Sequence, residues 1–141
     1  MKRAVLHSDG ASSGNPGHSG IGGVVRVGEE TREFSRYIGV TTNNVAEYTA
    51  LLTALKKAKE MGASEVEAFL DSELAVKQIN GQYRVRHGNI KPLFGEVMQL
   101  LSSFDKYSVR HVRREANRRA DALSKEAVKK MGPAAGQGTL F

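Results

Sequence analysis

Four carboxylates stand in four separate short signatures: Asp9 in SDGASSGNPG, Glu47 in TTNNVAEYTAL, Asp71 in FLDSELAVKQ and Asp121 in HVRREANRRADALS. Asp9 and Asp71 each close a short run with strand character, and Glu47 and Asp121 fall on segments of helical periodicity. Each acid is therefore expected on a rigid element. Carboxylates brought together repel one another unless a cation lies between them. An oxygen-only set of this kind suits Mg²⁺ or Mn²⁺, and carboxylate-held cations of this class hydrolyse phosphodiesters.

Each acid also has a plainer reading. Asp9-Gly10 is a common turn pair. Glu47 lies three residues after Asn44, the spacing of a capping box. Ser72 after Asp71 is a good N-cap. Asp121 falls in the first turn of a helix, where an acid suits the dipole in any protein. The arginines before it, Arg113, Arg114, Arg118 and Arg119, suit phosphates or make a solvated helix face. Cys/His zinc spacing, a G-x-S-x-G elbow and a P-loop are all missing from the sequence.

The elements that must hold these residues follow from periodicity. Arg3 to Ser8 reads as a strand, Gly20 to Val27 as a second and Thr31 to Ile38 as a third, with Phe34, Arg36 and Ile38 on one face. GASSGNPGHSG, rich in Gly, Ser and Pro, reads as a loop. Tyr48, Leu51, Leu52, Leu55 and Ala58 share a helical face, and Gly62 stops that helix. Glu65 to Leu70 alternates as a strand. A short helix over Ser72 to Ile79 ends at Asn80-Gly81, and Gln82 to Ile90 is a basic connection. Pro92 fits the first turn of a helix carrying Leu93, Val97, Leu100, Leu101 and Phe104. Tyr107 to Val112 is a last strand and Asn117 to Met131 a last helix, with Ala120, Leu123, Ala127 and Val128 inward. The order β-β-β-α-β-α-α-β-α predicts an α/β fold, a mixed sheet with helices packed on it.

The 141 residues suffice for one domain with a core. We expect that domain over residues 1–131 and a flexible tail over 132–141. Cysteine is absent, which excludes disulfides and thiolate metal sites. No apolar run reaches membrane-span length and no signal peptide is read, so a cytoplasmic location is expected. The net charge of +6 is uneven: Arg84 to Lys130 carries twelve Lys and Arg against five Asp and Glu. A basic half beside an acid cluster suits a polyanionic substrate.

Taken in order, DGASSGNPG, TTNNVAEYTAL, LDSELAVKQ and HVRREANRRADALS resemble the type 1 ribonuclease H family, from about residue 3 to residue 130. The resemblance implies a five-stranded mixed sheet flanked by helices, and cleavage of the RNA strand of RNA–DNA hybrids to 5′-phosphate and 3′-hydroxyl ends. It implies Asp9, Glu47, Asp71 and Asp121 as ligands of two Mg²⁺ ions, for which Mn²⁺ can substitute. Asn15, Asn43 and Asn44 match backbone-contacting positions, with Thr42 and Ser72 as secondary phosphate contacts. His111, ten residues before Asp121, has the spacing of a mobile histidine that assists proton transfer or product release; Arg114 is its rival. Many members carry a basic substrate handle where this chain has only Arg84, Arg86 and Lys91, so Arg113, Arg114, Arg118 and Arg119 are expected to substitute. A monomer is expected. A catalytically idle hybrid-binding module and a DNA nuclease or resolvase of the same superfamily are the alternatives.

The tail GPAAGQGTLF ends in two large apolar residues. Gln137, Leu140 and Phe141 fit the Q-x-x-L-F pattern of peptides that dock into bacterial sliding clamps, and a clamp is the expected protein partner; a chance match is the plainer reading.

Overall fold

The structure is a computed structural model that describes residues 2–131. Its elements are β1 (Arg3–Gly14), β2 (Gly17–Val27), β3 (Glu30–Thr41), α1 (Asn43–Glu60), β4 (Glu65–Leu70), α2 (Glu73–Ile79), α3 (Lys91–Ser102), β5 (Lys106–His111) and α4 (Arg118–Met131). A short 3-10 turn, Arg114–Asn117, precedes α4. The five strands form one sheet in the order β3-β2-β1-β4-β5. β1 is antiparallel to β2 and parallel to β4, and β4 is parallel to β5. The expected mixed sheet and element order are both present.

Alternation along the strands gives the sheet two different faces. On one, Ala4, Leu6, Val25, Val66, Ala68, Leu70 and Val109 are buried with Tyr48, Leu51 and Leu55 of α1 and with Val97 and Leu101 of α3. α4 lies on the other face and covers β2, β1 and part of β3. Ala120, Leu123 and Ala127 of α4 are buried there. The Tyr48 hydroxyl donates to Gln78 Oε1 at 2.7 Å and ties α2 to α1.

One expectation fails in an informative way. GASSGNPGHSG is not a loop: β1 runs on to Gly14 and β2 starts at Gly17, paired residue by residue from Asp9↔Gly22 to Gly14↔Gly17. The small residues serve close packing of helices. A Cβ on Gly10 would lie 2.3 Å from the Ala46 carbonyl carbon of α1, and one on Gly22 would lie 2.4 Å from the Ser124 nitrogen of α4. These positions face opposite helices, so both helices rest directly on strand backbone. No helix among the described residues is long and apolar enough to cross a membrane.

Candidate active site

The close approach of α1 and α4 to β1 gathers the acids. Asp9 lies mid-strand on β1 and is 5% exposed, while Glu47, on α1, is 7% exposed. Asp71 directly follows Leu70, the last residue of β4. Asp9, Glu47 and Asp71 each offer an oxygen within 4.8 Å of the others. Asp121, in the first turn of α4, sets its carboxyl beside that of Asp9. Asn117 Nδ2 donates to the Ser8 carbonyl at 3.0 Å and fixes the entry to α4 against the strand that carries Asp9.

The capping-box reading of Glu47 is overturned. The N-cap of α1 is Thr42, whose hydroxyl accepts from Val45 N. Glu47 is thus placed beyond the third helical position, and its Oε1 accepts from Gly10 N at 2.7 Å. Its Oε2 is buried with no hydrogen-bond partner. A buried acceptor left without a donor is costly. Glu47 stands within a group of carboxylates, so a cation is the chemical complement. The donor set is oxygen only, and the residues present fit a hard divalent ion.

The electrostatics agree. Burial pushes the Asp9 carboxyl up to about 10, reinforced by Glu47 and Asp71. Burial likewise raises Glu47, to about 7, against the adjoining Asp9 carboxyl and the Gly10 N–H, which favour its charge. Burial also opposes ionisation of Asp121. There the contact with Asp9 and the nearby Lys125 and Arg114 outweigh it and hold the group below the usual carboxylate range. Lys125 Nζ lies 3.1 Å from Asp121 Oδ2.

These residues line a cleft of about 390 Å³ with Asn43, Asn44, Ser72, Arg114 and Lys125. A neighbouring recess of about 210 Å³ shares Asn44 and is lined by Asn15, Thr42, His87, Asn89 and Ile90. Asn15 Oδ1 accepts from Asn43 N at 3.1 Å, which joins the hairpin tip to the start of α1. Ser72 caps α2 by accepting from Ala75 N at 3.2 Å. The structure thus brings together Asp9, Glu47, Asp71, Asp121, Asn15, Thr42, Asn43, Asn44, Ser72 and Arg114.

Other expected residues stand apart. His111 ends β5 opposite Leu70 and is exposed, outside the lining of the cleft. Arg113 and Arg118 are exposed at the two ends of the 3-10 turn. Arg119 forms a paired contact with Glu33, Nε to Oε2 at 2.9 Å and Nη2 to Oε1 at 2.8 Å, and borders a different recess with His7 and Arg26. Gln137, Leu140 and Phe141 lie outside the described residues. Lys125, Ser124, His87 and Asn89 line or touch the site and are not among the residues expected from the sequence. The signal for the first two is present there, since positions three and four after Asp121 share its helical face. His87 and Asn89 sit in an irregular connection without a period to place them.

The chain also has relatives among known proteins. A family model described as reverse transcriptase-like matches residues 7–127. The chain is 36% identical over 129 residues to a bifunctional protein of Mycobacterium tuberculosis, covering 89% of this chain and 35% of that protein. It therefore spans about a third of the length of such mycobacterial relatives. It is 33% identical over 144 residues to a ribonuclease H of Prosthecochloris aestuarii, covering 91% and 97% of the two chains. Among solved structures, the RNase H1 of Halobacterium salinarum superposes with a TM-score of 0.86 at 38% identity, over 91% of this chain and 98% of that one. LC11-RNase H1, from compost and solved in complex with an RNA/DNA hybrid, gives a TM-score of 0.83 at 40% identity, over 90% and 97%.

Proposed function

Because this chain belongs to the type 1 ribonuclease H family, we propose that it is an endonuclease that hydrolyses the RNA strand of RNA–DNA hybrids, leaving 5′-phosphate and 3′-hydroxyl ends. The observation that carries the proposal is the unpartnered Oε2 of buried Glu47 within a cluster of acids. Such a site is unfavourable by itself and calls for a divalent cation. Mg²⁺ ions, two in this reading, would be held by Asp9, Glu47, Asp71 and Asp121. When bound, they supply activation of the attacking water and stabilisation of the leaving oxygen.

The chain's own side chains do the rest. Asn43 and Asn44, at the start of α1, and Ser72, at the start of α2, present amide and hydroxyl groups to the backbone of the cleaved strand. Asn15, Thr42 and Asn44 offer polar groups to a backbone phosphate in the adjoining recess. Arg114 adds a cation beside the acids and takes precedence over His111 as the group that assists product release, because it lines the cleft. Recognition of the 2′-hydroxyl distinguishes RNA from DNA without reading sequence.

Cleavage of labelled hybrid, double-stranded RNA and double-stranded DNA, assayed in parallel with and without Mg²⁺, tests the reading. Hybrid should be cut, with Mg²⁺ required. Binding without cleavage would favour the idle module, and cleavage of DNA the resolvase-like alternative.

We further propose that residues 1–131 are the catalytic domain, acting as a monomer in the cytoplasm, and that residues 132–141 tether it to a sliding clamp. Gln137 would bond at the rim of an apolar pocket filled by Leu140 and Phe141. From Gly132 to Gln137 the reach is roughly 20 Å when extended. Tethering raises local concentration and needs only weak peptide affinity. Titration of a purified clamp with the intact protein and with a chain ending at Gly136 checks this: equal binding by both, or none by either, refutes it.

A further inference from the structure

Ser124 is fully buried on the inner face of α4, among Ala120, Leu123 and Ala127. Its hydroxyl reaches two of the four acids at once. Oγ lies 2.8 Å from the main-chain carbonyl of Asp121 and 3.4 Å from Oδ2 of Asp9. The bond to Asp121 is the usual back-bond of a helical serine and by itself needs no partner outside the helix. The approach to Asp9 is a different matter. It bridges residues 115 apart in sequence, and it exists because Gly22, the partner of Asp9 across the β1–β2 pair, has no side chain to hold α4 away.

Among the described residues, the Ser124 hydroxyl is the one neutral donor within 3.5 Å of the Asp9 carboxylate. Glu47 and Asp121 also set their carboxyls against it, and Asp71 adds its charge. An alanine at position 124 would fill an apolar helix face as well, so what the hydroxyl adds there is its bond to the Asp121 carbonyl and its reach to Asp9.

We propose that Ser124 is a positioning residue for Asp9: it donates to Oδ2 and so orients the carboxylate with its other oxygen toward the bound cation. The inference rests on the metal-dependent reading above. Hydroxyl bonds to an ionised carboxylate are stronger than those to a neutral carbonyl. With a cation holding Asp9 as the anion, the single Ser124 proton turns from the Asp121 carbonyl to Asp9. Partners of this kind behind metal ligands typically change metal affinity by about 10–100-fold when removed.

The test is Mg²⁺ binding to the metal-free protein by calorimetry, for the native chain, Ser124→Ala and Ser35→Ala. Ser35 donates to the Leu123 carbonyl at 2.6 Å, so its loss disturbs the seating of the same helix without facing Asp9. We expect Ser124→Ala to weaken Mg²⁺ binding by about 10-fold, with KM for hybrid at saturating Mg²⁺ unchanged, and Ser35→Ala to bind Mg²⁺ as the native chain does. Unchanged affinity in Ser124→Ala overturns the inference, as does an equal loss in Ser35→Ala, which would trace the effect to helix seating. If the native chain still cuts hybrid in either case, the nuclease reading stands without this inference. A native chain that neither binds Mg²⁺ nor cuts hybrid overturns both.

Discussion

Asp9 and Glu47 are acids kept from ionising first by burial and then by neighbouring carboxylates, Glu47 and Asp71 acting on Asp9 and Asp71 and Asp121 acting on Glu47, and that has a measurable cost. Unfolded, both titrate near about 4. Folded, Glu47 titrates at about 7 and Asp9 at about 10. The folded state therefore keeps protons that the unfolded state releases. The resulting stability is complete below about pH 4 and is lost as pH rises through about 7 and then about 10. Metal-free protein should melt at a lower temperature at pH 8 than at pH 5, and Mg²⁺ should abolish much of that difference by binding the native state. Asp9→Asn should raise the metal-free melting temperature at pH 8, because each pKa unit of difference corresponds to about 1.4 kcal/mol. Thermal melts in chelator and in Mg²⁺ would check both; a metal-free protein more stable at pH 8 than at pH 5 would contradict them. Asp71→Asn should fold normally yet lose hybrid cleavage by about 100-fold or more, beyond the loss typical of a group merely behind a ligand; circular dichroism and a cleavage assay read the two parts separately. At this scale the four acids were legible, because each sits in its own signature. The cap-like spacing of Glu47 misleads because its partner, Gly10 N, is 37 residues away and local spacing cannot show it.

Secondary elements repeat the pattern on a longer scale. The helices and β4 were legible from periodicity, and the inward residues expected on α1 are the buried ones. The extensions of β1 and β2 were not, since glycine and serine signal a loop until one knows that a helix lies directly above. Gly22→Ala tests this. Its Cβ would meet Ser124 N at 2.4 Å and the Ala120 carbonyl oxygen at 2.6 Å, both main-chain atoms that cannot swing aside. Overpacking of this kind costs about 1–3 kcal/mol and lifts α4, moving Asp121 with it. The variant should melt several degrees lower and bind Mg²⁺ more weakly. A Cβ added to Gly95, inside α3, would meet nothing within 4 Å, so Gly95→Ala should instead stabilise by about 0.5–1 kcal/mol. Denaturant titration of the pair checks both signs; equal effects would mean that the glycines under α4 are incidental.

Across the whole molecule, charge decides how a hybrid approaches. The basic excess after Arg84 was legible from composition, but not which arginines face the cleft. Arg114 lines it, whereas Arg119 is held by Glu33 on another face. Arg114→Ala should weaken hybrid binding and reduce the slope of log affinity against log salt by about one phosphate contact's worth. Arg119→Ala should leave that slope unchanged. Binding isotherms at several salt concentrations give both numbers, and a lower slope for Arg119→Ala alone would place the substrate over the recess beside Arg119.

The docking of α4 also has a consequence in time. Asp9, Glu47 and Asp71 precede β5, but Asp121 and Ser124 arrive only with α4, which covers the glycine-lined face of β1 and β2. At synthesis rates of about 5–20 residues per second, the 20 residues that follow His111, through Met131, take roughly one to four seconds to add. Through that interval the nascent sheet carries three of its acids without the fourth. Nascent chains arrested before α4 has emerged should leave hybrid uncut, and chains arrested with residue 131 clear of the ribosome should cut it. Cleavage by the former would mean that α4 is dispensable; otherwise, each newly made molecule is silent toward nucleic acid beside the ribosome until α4 has closed over the sheet.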